Sequence, residues 1–209
     1  MPLALDLVVL VPGKDDQEAL EGLLSARSES LGIRPLRFKV LRHPRKDPGC
    51  FNEAQAVLQP LQTTALHALV IFDHQGSGQE GRPAREVASE VRHRLQQSGW
   101  GDRAEVMVID PEIEIWVWSD SPHVDEALGW RDRQPTLRQW LRQNGLWQAG
   151  EPKPSRPKES LEAARREVRL QRSAAIYRQL AERVSLDRCQ DTCFAQFRRV
   201  LRTWFAAQT

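Results

Sequence analysis

Short apolar runs alternate with amphipathic stretches over the first 110 residues of the chain. A continuous apolar run of strand length is typical of a strand that is buried on both faces. Four such runs predict strands over residues 5–11, 36–41, 68–72 and 104–109. Helices are predicted between them near residues 16–31, 52–61 and 82–98. This alternation predicts an α/β fold, with a largely parallel, Rossmann-like sheet and helices on both of its faces.

After residue 110 the pattern is that of helices alone. Pro111 predicts a short helix over residues 112–118, because proline is favoured at the first helical position and Glu112 and Glu114 then lie in the first turn. Thr136 is expected to cap a helix that ends at Asn144. Side chains separated by 200° in a helix do not share a face, so only one of the two glutamates is expected to line a site.

Three prolines make residues 148–158 a stiff linker, and amphipathic helices follow it. The predicted organisation is therefore an α/β domain over residues 1–147, the linker over 148–158, and a helical C-terminal appendage over 159–209 that packs on the same domain.

Charge is unevenly distributed, although the formal net charge is only +2. From Glu151 onward there are 13 Lys and Arg against 7 Asp and Glu, which leaves 17 against 21 before it. One helix, expected over residues 160–172, carries Arg165, Arg169 and Arg172, and this basic stripe is predicted to bind a protein partner. A solvated face is the alternative.

No apolar run has the length of a membrane span, and the first residues lack the features of a secretory signal. The three cysteines form an odd number, which fits reduced thiols rather than a disulfide framework. We therefore expect a cytoplasmic protein without a membrane partner.

The most informative segment is the strand that ends at Asp73. Ligands of open α/β sheets bind at the carboxyl ends of the strands, where Asp73 is expected to lie. Together with Asp110, Glu112 or Glu114 it would supply the oxygen ligands of a divalent cation such as Mg²⁺, and these four residues are also the candidate catalytic residues. The alternative is that Asp73 caps the turn over residues 75–78, and the sequence leaves both open.

Two residues are candidates for contact with phosphate. Lys14 follows the first strand, and Ser77 lies between two glycines whose backbone N–H groups can form a nest for an anion. In the same interpretation, one of Asp15 and Asp16 helps to hold a metal ion. The alternatives are ordinary loop composition around Ser77 and helix capping by Asp15 or Asp16.

Four parts of the chain together resemble the Toprim domain, and more closely the small Toprim-related bacterial proteins of the overcoming-lysogenization-defect type. They are Pro12-Gly13-Lys14-Asp15-Asp16, Asp73-His74-Gln75, Pro111-Glu112-Ile113-Glu114-Ile115-Trp116, and a tail with Pro157-Lys158 and residues 189–197, which resembles the helical ending of those proteins. The family pattern has a glutamate where this chain has Pro12 and a second aspartate where it has Gln75. Pro12 cannot transfer a proton, and an amide is a weak ligand for Mg²⁺.

The resemblance implies a protein whose nuclease chemistry is lost or reduced. It would act as a binding or scaffolding subunit in a bacterial system directed at foreign DNA, with other proteins of that system as partners and nucleic acid as a further candidate. The alternatives are an active Mg²⁺-dependent nuclease or other phosphoryl-transfer enzyme, and a phosphate- or nucleotide-binding α/β protein.

Overall fold

A computed structural model describes residues 4–207 and contains a four-stranded parallel sheet. The strands are β1 Leu5–Val11, β2 Phe38–Arg42, β3 Ala65–Asp73 and β4 Ala104–Ile109. Their order across the sheet is β2-β1-β3-β4, and all neighbouring pairs are parallel. The predicted α/β class with a parallel sheet is confirmed. Because β3 and β4 are neighbours, the segments that follow Asp73 and Ile109 leave the sheet side by side.

Helices cover both faces of the sheet, as the fully apolar strands require. Alternate residues of β1 point to opposite faces: Leu7 and Val9 pack in one core with α1, and Val8 and Leu10 in a second core with α3 and α4. The α-helices of this part are α1 Lys14–Ala26, α2 Ser28–Leu31, α3 Lys46–Leu58 and α4 Ala84–Leu95. Shorter helical turns of other types span Gln59–Leu61, Gln96–Trp100 and Gly101–Arg103.

The C-terminal half contributes six more α-helices within residues 4–207. They are α5 Glu114–Val117, α6 Pro122–Ala127, α7 Leu137–Gln143, α8 Pro157–Glu167, α9 Ala175–Arg183 and α10 Thr192–Phe205. Side chains of α9 and α10, such as Leu180 and Phe197, belong to the same hydrophobic core as Leu7 and α1. This packing places α8 and α9 close to the carboxyl end of the sheet.

Among the helices whose bounds differ from the predicted ones, two affect the arrangement of charged side chains. The helix expected over residues 52–61 begins at Lys46, because Pro48 lies in the first turn, where its missing N–H removes no hydrogen bond. The helix expected over residues 160–172 is α8, which ends at Glu167, and Arg169 has a positive φ of 56°. Because α3 begins at Lys46, Asp47 lies in its first turn rather than in a loop. Because α8 ends at Glu167, the three arginines of the predicted stripe do not lie on one helix.

Thr136 forms the predicted cap. Its side chain accepts a hydrogen bond from Gln139 N, and the backbone N–H of Thr136 donates one to Gln139 Oε1. We expect Thr136→Ala to lower the free energy of unfolding by about 1 kcal/mol, because one N–H of α7 loses its acceptor. Urea denaturation measures this change. Thr192→Ala is the matched control, since the exposed Thr192 makes no such bond at the start of α10, and an equal loss in both variants would contradict the capping role.

Candidate metal centre

Three carboxylates converge where β3 and β4 end. Oxygen atoms of Asp73, Glu112 and Glu114 all lie within 4.8 Å of one another. All three residues are buried, and only 2 % of the Glu114 surface is exposed. Such a group of oxygen atoms could hold a metal ion, and oxygen donors favour hard cations such as Mg²⁺, Mn²⁺ or Ca²⁺.

The orientation of Asp73 is fixed by the backbone around it. Its Oδ1 accepts a hydrogen bond from Ile113 N at 2.8 Å, and its own N–H donates to Asp47 Oδ1 at 2.9 Å. The side chain therefore turns towards the segment after β4. The alternative that Asp73 caps the turn over residues 75–78 finds no support in these contacts.

Two further carboxylates, those of Asp16 and Asp47, act on Asp73 electrostatically. Burial raises the pKa of Asp73 well above its usual range, and the negative charges of Asp16, Asp47 and Glu114 raise it further. Burial and the charge of Asp47 likewise raise the pKa of Asp16 to about 7. The pKa of Asp47 is raised by burial. Burial and mutual repulsion thus oppose full ionisation of these carboxylates.

Two oxygens of this group lack a hydrogen-bond donor. Asp16 Oδ1 and Glu114 Oε2 have no hydrogen-bond partner. Both residues are more than nine-tenths buried, so water does not readily replace the missing donor. Buried polar atoms of folded proteins nearly always have a partner, so an orphaned carboxylate oxygen needs an explanation such as a bound ion. The donor set and these two orphaned oxygens both fit a divalent cation.

The appendage supplies the other contacts of the centre. Lys158, in the first turn of α8, donates its backbone N–H to Glu112 Oε1 at 2.9 Å, and its Nζ lies 3.5 Å from Glu112 Oε2 and 4.0 Å from Glu114 Oε1. Tyr177 of α9 donates its hydroxyl to Glu114 Oε1 at 2.6 Å. Burial opposes the charge of Lys158, but the two glutamates outweigh it and raise the pKa of the ammonium group.

The pKa of Glu114 depends on burial and on the contacts with Lys158 and Tyr177. Burial raises the pKa of Glu114, while Lys158 and the Tyr177 hydroxyl act in the opposite direction and reduce the rise. For Tyr177, burial and the nearby Glu114 raise the pKa of the phenol, so it remains a hydrogen-bond donor. The centre is therefore closed from the side of the appendage by one cation and one hydroxyl.

The structure separates Asp110 from the other predicted ligands. The Asp110 side chain is 67 % exposed, and its Oδ1 lies 3.6 Å from His74 Nδ1. Asp110 lies immediately after β4, and the chain must continue to Glu112 before it turns inward. Asp110 is therefore outside the group of converging carboxylates, and this geometry does not support its expected role as a metal ligand. The expectation that only one of Glu112 and Glu114 lines the site is wrong, because Glu112 precedes α5 and does not have the assumed helical spacing.

The predicted phosphate contacts are occupied by the chain itself. Ser77 is buried, donates to His74 O at 2.6 Å and accepts from Gln79 N at 3.1 Å. Lys14 forms an ion pair with Glu18. The backbone N–H groups of Gly76 and Gly78 donate to Glu80 Oε1 at 2.7 and 3.4 Å, so a carboxylate of the protein fills the predicted nest.

The predicted basic stripe is not a single surface. Arg165 is buried and pairs with Glu162, Arg169 lies beyond the end of α8, and Arg172 pairs with Asp15 at 3.0 Å. The prediction that one helical face carries all three arginines is therefore wrong. Binding of a protein partner by these residues stays a prediction, and it now concerns the two exposed arginines, Arg169 and Arg172.

The sequence does not indicate three residues around the centre, namely Asp47, Lys158 and Tyr177, whereas one of Asp15 and Asp16 is expected either to help hold a metal ion or to cap the first helix. Asp16 also accepts a hydrogen bond from Gly13 N, so its prediction as a cap describes only one of its two oxygens. Asp47 lies between two prolines in a segment with turn composition, and Lys158 and Tyr177 are distant in sequence. For these residues no local pattern carries a signal.

Comparison with family models, curated proteins and solved structures finds no match for this chain. The resemblance to the Toprim domain therefore rests on the sequence motifs and on the tail described above, and it stays a prediction. In residues 4–207, no helix combines the length and the apolar character that are needed to cross a membrane.

Proposed function

We propose that this chain is a Toprim-like protein that acts as a binding or scaffolding subunit in a bacterial system directed at foreign DNA, with reduced or no nuclease activity. We also propose that its carboxylate centre binds a divalent cation, for which Mg²⁺ is the candidate. The observation that carries the proposal is the closure of the centre: Lys158 and Tyr177 contact its carboxylates, and Glu114 is almost fully buried.

Closure argues against cleavage of a phosphodiester. A catalytic metal needs an open coordination position for substrate or water, and nucleic acid is too large to reach buried carboxylates beneath packed helices. Asp73 and Glu112 are buried as well. A cation in this centre would hold together the end of β3 and the segment that follows β4.

The turn sequences support the same conclusion. Pro12 is buried and has no ionisable group, and Gln75 is exposed and neutral. Both stand where the resembled family has carboxylates. Assignment to a system directed at foreign DNA, with other proteins of that system as partners, rests on this resemblance.

We expect purified protein to show no cleavage of supercoiled plasmid or single-stranded DNA above background in Mg²⁺ or Mn²⁺, since the carboxylates are enclosed and two acidic positions are missing. Gel electrophoresis over a time course measures this, with Asp73→Asn as the reference for background. Cleavage that Asp73→Asn removes and the surface variant Asp110→Asn retains would contradict the proposal.

A second candidate is an active metal-dependent phosphoryl-transfer enzyme. It is favoured by the convergence of three carboxylates within 4.8 Å and by the orphaned oxygen of Glu114. This function requires the appendage to withdraw from the centre. The cleavage assay separates the two candidates, because both include the cation and only the second predicts turnover.

A further inference from the structure

A basic groove lies on the outer face of α10, away from the carboxylate centre. It has a volume of about 430 Å³ and is lined by Ala195, Arg198, Arg199, Arg202 and Thr203. The opposite face of the same helix, with Phe197 and Leu201, is fully buried in the core. The core therefore holds the helix rigidly while its arginine face remains at the surface.

Two of the three guanidinium groups are fixed by backbone carbonyl groups. Arg202 Nε donates to Leu31 O at 2.7 Å, and Arg198 Nη2 donates to Ser30 O at 3.2 Å. A carbonyl group restrains a guanidinium without cancelling its charge. Less conformational entropy is then lost when an anion binds, because both side chains are already oriented.

The positive charge of the groove is only partly balanced. Arg198, whose side chain is 18 % exposed, pairs with Asp187, whose side chain is 85 % exposed, so water screens the carboxylate of this pair. Arg199 is exposed, and its guanidinium group has no hydrogen bond or ion pair to any residue in the range 4–207. Three guanidinium groups thus share one solvated carboxylate.

The chemistry of the lining favours phosphate oxygens. Guanidinium groups match the geometry of phosphate, and salt-dependent contact with many phosphates is the main source of affinity for a nucleic-acid backbone. Apart from the arginines, the lining offers only a methyl group and a hydroxyl group, from Ala195 and Thr203. A protein partner would need larger apolar or aromatic contacts at the centre of the interface, and base stacking would need aromatic side chains.

We propose that the groove on α10 binds the phosphate backbone of nucleic acid without reading its base sequence. Its residues are distinct from those of the carboxylate centre, so this inference goes beyond the proposed function and does not depend on it. Contacts to phosphate position a nucleic acid and carry no sequence information directly.

The test uses the full-length protein, a fluorescein-labelled duplex of mixed sequence and fluorescence anisotropy over a series of salt concentrations. The variant Arg199→Glu/Arg202→Gln should bind at least ~10-fold more weakly at low salt, and the slope of log K against log [salt] should fall by roughly 0.9 per lost phosphate contact. A second duplex of unrelated sequence should bind wild-type protein with the same affinity.

Arg142→Glu on α7 is the matched control, because Arg142 is exposed and lies outside the groove. This variant should remain within about twofold of wild type, as expected for a charge remote from the phosphate contacts. The single variant Arg199→Glu breaks no contact of the folded protein, so its loss of affinity is free of any folding defect.

Three results would overturn the inference. They are unchanged duplex binding by the double variant, equal losses in Arg142→Glu and Arg199→Glu, and competition by polyglutamate as effective as that by unlabelled duplex of equal charge. The last result would identify the groove as a site for acidic protein segments. None of the three bears on the cation experiments, so the failure of this inference and that of the proposed function are distinguishable.

Discussion

Addition of Mg²⁺ or Mn²⁺ to metal-free protein should raise its free energy of unfolding, and Asp73→Asn should abolish this rise. A cation that binds the folded state alone stabilises it by about 3 kcal/mol at a hundredfold excess over its dissociation constant. Burial raises the pKa of Asp73, and repulsion from Asp16, Asp47 and Glu114 raises it further; a bound cation would relieve this repulsion. Urea denaturation in EDTA and in a series of metal concentrations measures the effect.

The Asp73→Asn variant is well suited to this experiment, since asparagine keeps the oxygen that accepts from Ile113 N and removes only the charge. In EDTA we therefore expect the variant to be at least as stable as wild type. Asp110→Asn is the control, because its exposed side chain lies outside the centre and its metal response should equal that of wild type. Stabilisation of Asp73→Asn equal to that of wild type would show that the cation binds elsewhere.

In EDTA, the protein should lose stability as the pH rises from about 4 to about 8. Burial and the charge of Asp47 raise the pKa of Asp16 from 3.8 to about 7. The folded state therefore binds more protons than the unfolded state in this range, and its stability must fall with increasing pH. A shift of this size corresponds to a change on the order of 4 kcal/mol.

Neighbouring carboxylates share this behaviour, because burial also raises the pKa of Asp73, Asp47 and Glu114. The protons are taken up by the group, and the measured midpoint belongs to the group rather than to one residue. Asp16→Asn should flatten the dependence, and Asp15→Asn, whose side chain pairs with Arg172 at the surface, is the matched control. A stability that rises between pH 5 and pH 8 in EDTA would contradict the proposed repulsion.

Carboxylates whose pKa is lowered act in the opposite direction and at lower pH. The side-chain hydrogen bond from Arg34 holds the pKa of Asp6 below its usual range, so Asp6 contributes stability that is lost as the pH falls through that lowered value. The stability loss expected above pH 4 is therefore distinct from ordinary acid unfolding. Denaturation curves at closely spaced pH values separate the two.

The sequence was sufficient to predict the sheet and part of the centre. Continuous apolar runs identified the strands, and the rule that sites lie at the carboxyl ends of parallel strands selected Asp73 and the acidic segment after β4. Asp73, Glu112 and Glu114 do converge. Their convergence requires that β3 and β4 are neighbours in the sheet, and the structure shows that these two strands pair.

The rest depended on contacts that a local pattern does not encode. Asp47 joins the centre because α3 begins before Pro48, whereas the prolines around it suggested a turn. Lys158 is supplied by a helix far along the chain, and its place follows from the packing of the appendage. The arginine stripe failed because continuous helical spacing was assumed beyond Glu167, where the chain adopts a positive φ at Arg169.

Lys158 gives the centre an internal counter-ion. Its ammonium group lies between Glu112 and Glu114, and half of the side chain faces solvent. A divalent cation that enters must take over the carboxylate oxygens that this ammonium group now balances. Uptake is therefore an ion exchange, in which one bound charge replaces another, and the net gain in free energy is the difference between the two associations. The affinity of the centre is accordingly lower than the number of carboxylates alone would suggest.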